Sequence, residues 1–273
     1  MRLWAAKAGW NPKEAVWALI PHGVFFEDDY VFPGEIEAKV PAVLNWPPHR
    51  DEIWSQYKTV VPAAAPFVYA WNLYEKQKQK RGSLVYPQHL TTLYDHDGDL
   101  WDFAEQVKQL PRPCTWMAYW EDLRRGFAKY VPAHVTIKTC GHVQDPEFLK
   151  KTVWHMSGAE YLFSNDIGSY TLYSTLAGCK FRLLHEPPVF RLNQKGVDAG
   201  YREIFHDSPD RHPEEKRRVA ELDALFRDHD WDEPITTEQR ESIEWYLRTD
   251  KFKDPAGLCR DFEYCRELHE AQR

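Results

Sequence analysis

Short apolar runs alternate with segments of helical periodicity between residues 83 and 184. Strands are predicted at Ser83–Tyr86, 114–120, 135–140, 161–163 and 179–184. Helices are predicted between them, over 97–110, 122–130, 145–156 and 167–177. Strands separated by helices of about ten residues are typical of a parallel sheet with right-handed crossovers. The sequence therefore predicts an α/β fold built on a Rossmann-like parallel sheet.

The segments on either side of this region differ from it in pattern. In the first 75 residues, strands are predicted at 42–45 and 59–61 and a helix at 50–57, while 16–20 fits either a strand or a helix. After residue 190 the chain becomes charged and helical, with helices predicted at 213–227 and from Pro255 onward. We therefore predict a small or truncated N-terminal α/β part (1–75), a Rossmann-like domain (76–190) and a helical C-terminal extension (191–273).

Composition narrows the class of protein. The chain has 273 residues, of which 43% are hydrophobic and 28% are charged, as expected for a globular protein with one large core or two modest ones. No apolar run approaches the ~20 residues that span a bilayer, and five cysteines without a CxxC pair fit reduced thiols. We expect a cytoplasmic protein. A formal net charge of −7 argues against a nucleic-acid binder.

Polar residues follow several of the predicted strands, at the positions where a parallel sheet binds its ligands. In chain order they are His22 with Gly23, His89 with Thr91 and Thr92, Glu121 with Asp122, Gly141 with His142, and Ser164 with Asn165 and Asp166. Together they offer imidazole, carboxylate, hydroxyl and amide groups to one edge of the sheet. A single loop histidine is usually structural, but three of them after strands favour a site.

The helix predicted at 167–177 begins directly after the polar turn 164–166. Gly168 and Ser169 fall in its first turn, where a missing side chain lets a ligand approach and free backbone N–H groups point outward. Such a helix N-terminus binds anions, and phosphate above all. An ordinary capped helix in an α/β core is the alternative interpretation.

Other chemistry finds little support in the sequence. The segment 95–99 superficially resembles a calcium loop, but its glycine is misplaced and Gln106 stands where a bidentate acid is required. The histidines show no zinc-binding spacing, and there is no GxxxxGK[ST], GxSxG or GxGxxG motif. We therefore expect no metal ion and no bound cofactor.

Several short motifs, taken in order, resemble bacterial surface-polysaccharide glycosyltransferases of the GT-B kind. They are His22-Gly23, the run from Tyr86 to Thr92, Trp120 with Asp122, Gly141-His142 with Asp145-Pro146, and Ser164 to Ser169. The resemblance covers roughly residues 20–185, and its most specific part is the Ser-Asn-x-x-Gly-Ser helix start. In such enzymes two Rossmann-like halves face each other, and the C-terminal half holds a nucleotide sugar.

The resemblance implies transfer of a sugar from a nucleotide-activated donor to a glycan or lipid-linked acceptor, and a lipid-linked acceptor implies peripheral membrane association. It implies that Ser164, Asn165, Gly168 and Ser169 bind donor phosphate, with His89, Thr91, Asp122 and His142 nearby. A helix N-terminus can stabilise that phosphate without a metal ion. A base of near-neutral pKa would deprotonate the acceptor, and His22 is the first candidate, with Asp28 and Asp29 as alternatives.

Two departures from the family keep other functions open. The N-terminal half is shorter than such enzymes usually have, and the helical extension has no counterpart among them. One alternative is a sugar-nucleotide epimerase or hydrolase that uses the same phosphate site without an acceptor. Another is a non-catalytic carbohydrate-binding protein, which the 12 Trp, 14 Tyr and 14 Phe would suit.

Overall fold

The computed structural model describes the whole chain except residues 22, 25, 27, 29, 90–93, 97–99, 185–189, 201–212 and 228–231. The chain divides into two compact units. The first unit combines Met1–Tyr74 with Glu241–Arg273, and the second unit is Glu75–Arg240. The predicted C-terminal extension, 191–273, is thus distributed over both units.

The first unit is built on a parallel sheet of strands β1 (Ala18–Leu19), β2 (Ala42–Asn45) and β3 (Thr59–Pro62), in that order. Its α-helices are Arg2–Ala5, Pro33–Ile36, Asp51–Ser55, Pro66–Leu73 and Pro255–Ala271, together with the end of Thr237–Leu247. Short 3-10 helices lie at Ala6–Ala8, Pro48–Arg50 and Thr249–Lys251. Buried Val43, Ile53 and Trp54 form one core cluster of this unit.

The last helix belongs to the first unit because it packs on the start of the chain. Trp10 meets Phe262 with ring centroids 5.1 Å apart, and the Cys259 thiol donates to the Ala5 carbonyl at 3.3 Å. Asp254 caps this helix by accepting from the Gly257 N–H at 2.6 Å, and Pro255 occupies its first turn. The predicted helix start is therefore confirmed by its cap.

The second unit contains seven described strands, five of which form a larger parallel sheet. The seven strands are β4 (Ser83–Tyr86), β5 (Tyr94–His96), β6 (Cys114–Met117), β7 (Thr136–Lys138), β8 (Tyr161–Ser164), β9 (Lys180–Leu183) and β10 (Phe190–Leu192). Five of them form a parallel sheet in the order β7-β6-β4-β8-β9, while β5 and β10 pair antiparallel. The helices are Trp101–Val107, Trp120–Arg124, Phe148–Gly158, Ser169–Leu176, Gln194–Asp198 and Pro213–Arg227, with a 3-10 helix at Phe127–Tyr130 and the start of Thr237–Leu247.

The strand order reverses at the centre of this sheet. From β4 the chain moves outward to β6 and β7, then returns to pair β8 with the other side of β4 and continues to β9. This is the order of a doubly wound Rossmann-like sheet. The predicted fold class, an α/β protein with a Rossmann-like parallel sheet and a helical C-terminal region, is confirmed.

Several predicted elements end earlier than expected, and for two of them the structure shows the reason. The strand predicted at 114–120 stops at Met117, because the Asp122 carboxylate accepts from the Tyr119 N–H at 3.1 Å and so starts a helix at Trp120. The helix predicted at 122–130 is interrupted by Gly126, whose φ of 79° is left-handed. Beyond it the chain forms only a 3-10 turn.

The structure also bears on two expectations drawn from composition, those for the cysteines and for membrane-spanning segments. All five cysteines are free and buried. None of the helices in the described part of the chain combines the length and apolar character that crossing a bilayer requires.

Candidate functional site

The carboxyl ends of β4 and β8 form the switch point of the second unit's sheet. Tyr86 and Ser164 are paired in register as the last residues of the two strands. Their connections lead to opposite sides of the strand order, the arrangement that in open α/β sheets parts two loops and forms a crevice between them. In open α/β sheets this crevice is where ligands bind.

Two predicted phosphate-binding side chains hold the loops of the switch point together. The Ser164 hydroxyl donates to the Tyr86 carbonyl at 2.5 Å and accepts from the Asp166 N–H at 3.2 Å. The Asn165 side-chain oxygen accepts from the Gln88 N–H at 2.7 Å. Both side chains are buried, at 0% and 1% exposure. These two residues therefore form the floor of the crevice.

The start of the helix Ser169–Leu176 lies beside this floor and reaches the surface. Gly168 is its N-cap, and its N–H donates to the Thr171 hydroxyl at 3.2 Å. Gly168, Ser169 and Tyr170 are half-buried. The Ser169 side chain is hydrogen-bonded to Tyr173. The two predicted residues Gly168 and Ser169 thus stand at the rim of the crevice.

Tyr170 shapes this rim and explains the glycine before it. A Cβ atom at residue 168 would lie 2.9 Å from the Tyr170 ring, so only glycine lets the ring take this position without a shift. The same ring stacks on Tyr86, with centroids 5.7 Å apart and planes 20° apart. Burial raises the pKa of both phenols well above the usual value. Both tyrosines therefore remain neutral at physiological pH.

A second group of predicted residues gathers at the carboxyl ends of β4, β6 and β7. The His89 ring lies 4.3 Å from the Tyr119 ring, and the His142 ring lies 5.6 Å from Trp120. Tyr119 and Trp120 are themselves 5.9 Å apart. We call these four residues the aromatic cluster. Its rings offer stacking faces for a sugar or a nucleobase, and its imidazoles offer hydrogen bonds.

Asp122 supports the aromatic cluster from below. Its carboxylate caps the helix that begins at Trp120, as described above, and it is only 5% exposed. The structure therefore brings His89, Asp122 and His142 together, but it gives the carboxylate a structural partner. Thr91, predicted to lie with them, falls outside the described residues.

The three predicted catalytic residues belong to the first unit. His22 and Asp29 lie outside the described residues, whereas Asp28 is half-buried. On either side of Asp28, Trp46 donates to the Pro21 carbonyl at 2.9 Å, and Arg50 donates to the Tyr30 carbonyl at 2.8 Å. Since Trp46 follows β2 directly, Pro21 lies near the carboxyl end of that strand.

Sequence reasoning missed three aromatic residues of the site. The apolar run from 114 to 120 places Tyr119 inside a predicted strand, Tyr170 belongs to no motif, and Tyr86 begins one of the motifs without a predicted role in the site. The rule that sites follow strand ends would have included Tyr119 if the end of β6 had been placed correctly. In the described part of the chain, no group of three or more His, Cys, Asp or Glu side chains is placed to hold a metal ion.

Comparison with known proteins gives distant structural likenesses only. No protein-family model matches the chain, and no curated protein matches it. Among solved structures, Anabaena Alr3699/HepE in complex with UDP-glucose is 9% identical, with a TM-score of 0.36, and the match covers 93% of this chain and 72% of that one.

Two further solved structures are similarly remote. The glycotransferase of kitacinnamycin is 14% identical with a TM-score of 0.30, over 84% of this chain and 50% of that one. A UDP-glucosyltransferase from Polygonum tinctorium capable of glucosylating indoxyl is 12% identical with a TM-score of 0.33, over 86% of this chain and 55% of that one. Likenesses of this size show no family membership.

Proposed function

We propose that this chain is a glycosyltransferase that binds a nucleotide-activated sugar at the switch point of its second unit. One observation carries the proposal: the reversal of strand order places the ends of β4 and β8 and the N-terminus of the helix Ser169–Leu176 at one crevice. A crevice of this kind suits a nucleotide ligand, because its phosphates can meet the positive end of a helix.

The phosphate of the donor would bind at the rim of the crevice. No hydrogen-bond partner of the Tyr170 backbone N–H is found among the described residues, as expected for the first turn of a helix. During sugar transfer the departing phosphate gains negative charge, which an oriented N–H group and the helix dipole stabilise. Transfer by this route needs no metal ion. Ser164 and Asn165 would act indirectly, by fixing the loops that carry this rim.

The aromatic cluster would hold the sugar or the base of the donor. Sugar rings and nucleobases stack on aromatic faces, and Tyr119 and Trp120 supply two of them. His89 is exposed and His142 is half-buried, so both can donate hydrogen bonds to hydroxyl groups. This assignment gives the predicted donor-binding residues His89 and His142 a role, while Asp122 positions the helix beneath them.

The acceptor would be a glycan or a lipid-linked sugar of surface-polysaccharide synthesis, met at a membrane surface if lipid-linked. Its hydroxyl must lose a proton as the new bond forms, and a histidine of ordinary pKa is suited to accept it. We therefore propose His22 as the base, with Asp28 or Asp29 as alternatives. Replacing the base should lower kcat while leaving donor affinity unchanged.

Donor binding is tested by comparing Ser169→Leu with Ser169→Ala. Both variants lose the hydrogen bond to Tyr173, but only leucine places bulk at the rim. In a thermal-shift screen with UDP-, GDP-, CMP- and dTDP-sugars, the wild type and Ser169→Ala should be stabilised by one donor class. Ser169→Leu should lose that shift, with donor affinity at least about tenfold weaker, which corresponds to about 1.4 kcal/mol. Equal donor binding by both variants would refute the phosphate site.

The same donor separates the transferase from its rivals in a turnover assay. Transfer should require an acceptor glycan in addition to the donor. Product formed from the donor alone would indicate an epimerase or hydrolase. Glycan binding that is independent of nucleotide, without turnover, would indicate a carbohydrate-binding protein.

A further inference from the structure

A buried carboxylate in the second unit holds two arginine side chains at the mouth of a cleft. Glu121 is 0% exposed. It accepts from Arg124 Nε at 2.7 Å and Nη2 at 2.5 Å, and from Arg125 Nε at 2.8 Å. These hydrogen bonds, with Arg124 contributing most, lower the pKa of Glu121 to about 2. The carboxylate is therefore charged at any physiological pH and fixes both guanidinium groups.

The cleft has the size of a small-ligand site. Its volume is about 300 Å³, at the lower end of the range for ligand pockets and well above the volume of a bare phosphate ion. It is lined by Asp95, Glu121, Arg124, Arg125, Asn193, Gln194 and Lys195. These residues come from β5, from the helix Trp120–Arg124 with its C-cap Arg125, and from the start of the helix Gln194–Asp198 with its N-cap Asn193.

The charges around the cleft leave a positive surplus. Among the described residues that line the cleft, Arg124, Arg125 and Lys195 are cationic and Asp95 and Glu121 are carboxylates. Arg125 pairs with both carboxylates. Both arginines donate to the same oxygen of Glu121, so their like charges lie close together and repel. Lys195 is exposed and has no ion-pair partner among the described residues. A bound anion would relieve this repulsion.

The arrangement also keeps one arginine rigid at the surface. The Arg124 side chain is 62% exposed, yet two hydrogen bonds to Glu121 fix its guanidinium plane. Ordering a long exposed side chain costs conformational entropy, and because Glu121 already orders Arg124, a ligand can bind its guanidinium without causing that loss again. A planar guanidinium matches the oxygens of a phosphate, and a lysine adds a compact positive charge.

We propose that this cleft binds the phosphate group of a phosphorylated ligand of about sugar size. The site shares no residue with the donor crevice between β4 and β8, and it does not depend on the proposed transferase activity. Arg124 and Lys195 would contact the phosphate, and Glu121 would position Arg124. The organic part of the ligand would occupy the remaining volume, near Asn193 and Gln194.

The test measures binding of glucose 1-phosphate by isothermal titration calorimetry. Lys195→Gln should weaken binding at least about tenfold, since a hydrogen bond to a charged group is lost. Arg124→Gln should weaken it by at least the same factor. Lys150→Gln is the matched control, because Lys150 is an exposed lysine on another helix that pairs with Glu147. It should bind as the wild type does.

Lys195→Gln decides the question if Arg124→Gln folds poorly, because Lys195 supports no other described side chain. Wild-type affinity in Lys195→Gln would overturn the proposal, as would a wild type that does not bind glucose 1-phosphate. Loss of binding in Ser169→Leu would place the phosphate at the donor crevice and would also overturn it. Retention of glucose 1-phosphate binding in Ser169→Leu, combined with its loss in Lys195→Gln, would establish a separate site.

Discussion

The two parallel sheets of this chain differ in what occupies their carboxyl ends. In the first unit the described strands follow one another in sequence order, and the end of β2 is filled by the unit's own side chains. Arg248 donates to both oxygens of Asp51, at 2.8 and 2.7 Å, and Asn45 donates to the same carboxylate at 2.7 Å. In the second unit the order reverses, and neutral hydrogen bonds made by Ser164 and Asn165 join the loops that follow β4 and β8.

The difference teaches that strand order, more than strand direction, decides where a parallel sheet can accept a ligand. Consecutive strands of an open sheet send their connections the same way, so no gap is created between neighbouring connections. A reversal parts two neighbouring connections and leaves a gap that side chains must bridge or a ligand must fill. Here the side chains of Ser164 and Asn165 join the two loops by hydrogen bonds. Gly168, which has no side chain, leaves room beside them for the Tyr170 ring.

The largest expected effect concerns the filled end of the first sheet. Arg248 is 8% exposed and has a left-handed φ of 52°, which its ion pair with Asp51 must stabilise. Arg248→Gln should lower the free energy of unfolding by about 2–4 kcal/mol, measured by urea denaturation. Arg217→Gln, which removes only exposed pairs with Glu214 and Glu221, should change it by less than about 1 kcal/mol.

Measuring the donor affinity of Arg248→Gln tests the contrast between the two sheets more sharply. Because Arg248 belongs to the end that we regard as closed, Arg248→Gln should leave the affinity for the nucleotide sugar unchanged under native conditions. A variant that keeps its stability but loses donor affinity would show that the end of β2 takes part in binding, and the contrast between the sheets would fail.

An intermediate effect is expected at the open end of the second sheet. Ser164→Ala removes a hydroxyl that both donates to Tyr86 and accepts from Asp166, so it should cost about 1–2 kcal/mol of stability and weaken donor binding. Ser174→Ala is the control: its hydroxyl is equally buried but donates to a carbonyl within its own helix. If both substitutions act alike, Ser164 has no special role at the crevice.

The smallest effect is expected in acid. Asp145 accepts from Lys151 at 2.7 Å and from the Glu147 N–H at 2.9 Å, which lowers its pKa below the ordinary 3.8. A carboxylate whose pKa is lower in the folded state stabilises the fold above its unfolded pKa, and this stabilisation is lost as the pH falls through the folded value. The advantage of wild type over Asp145→Asn should therefore shrink below about pH 4. A difference in stability that stays constant down to pH 2 would contradict the assignment.

Sequence alone predicted the elements whose limits are set locally. Ser83–Tyr86 and Pro213–Arg227 match their predicted bounds, since a proline follows the first and begins the second. The sequence Thr236-Thr-Glu-Gln239 has the pattern of a capping box, and Thr236 and Gln239 do exchange the two hydrogen bonds of that motif, at 2.9 and 3.1 Å. The end of β6 was wrong because an aromatic run can continue a strand or enter a helix, and the cap by Asp122 decided it.

The site was predictable in outline but not in its hydrogen bonds. The rule that ligands collect at strand ends led to His89, His142 and the turn after β8. What Ser164 does, however, depends on the pairing of β4 with β8, which joins residues 78 positions apart. The sequence around Ser164 does not reveal how β4 and β8 are aligned. From sequence alone, the side chains of Ser164 and Asn165 could therefore either contact a phosphate or join the two loops.

The burial of every native thiol has a practical consequence. Burial raises the pKa of Cys114, Cys140, Cys179 and Cys265, which keeps these sulfurs protonated, and all five thiols are shielded from reagents. A maleimide dye should then attach only to an engineered cysteine, such as one at exposed Gln144 beside His142. Fluorescence from that single label would follow occupancy of the aromatic cluster in the otherwise unaltered protein.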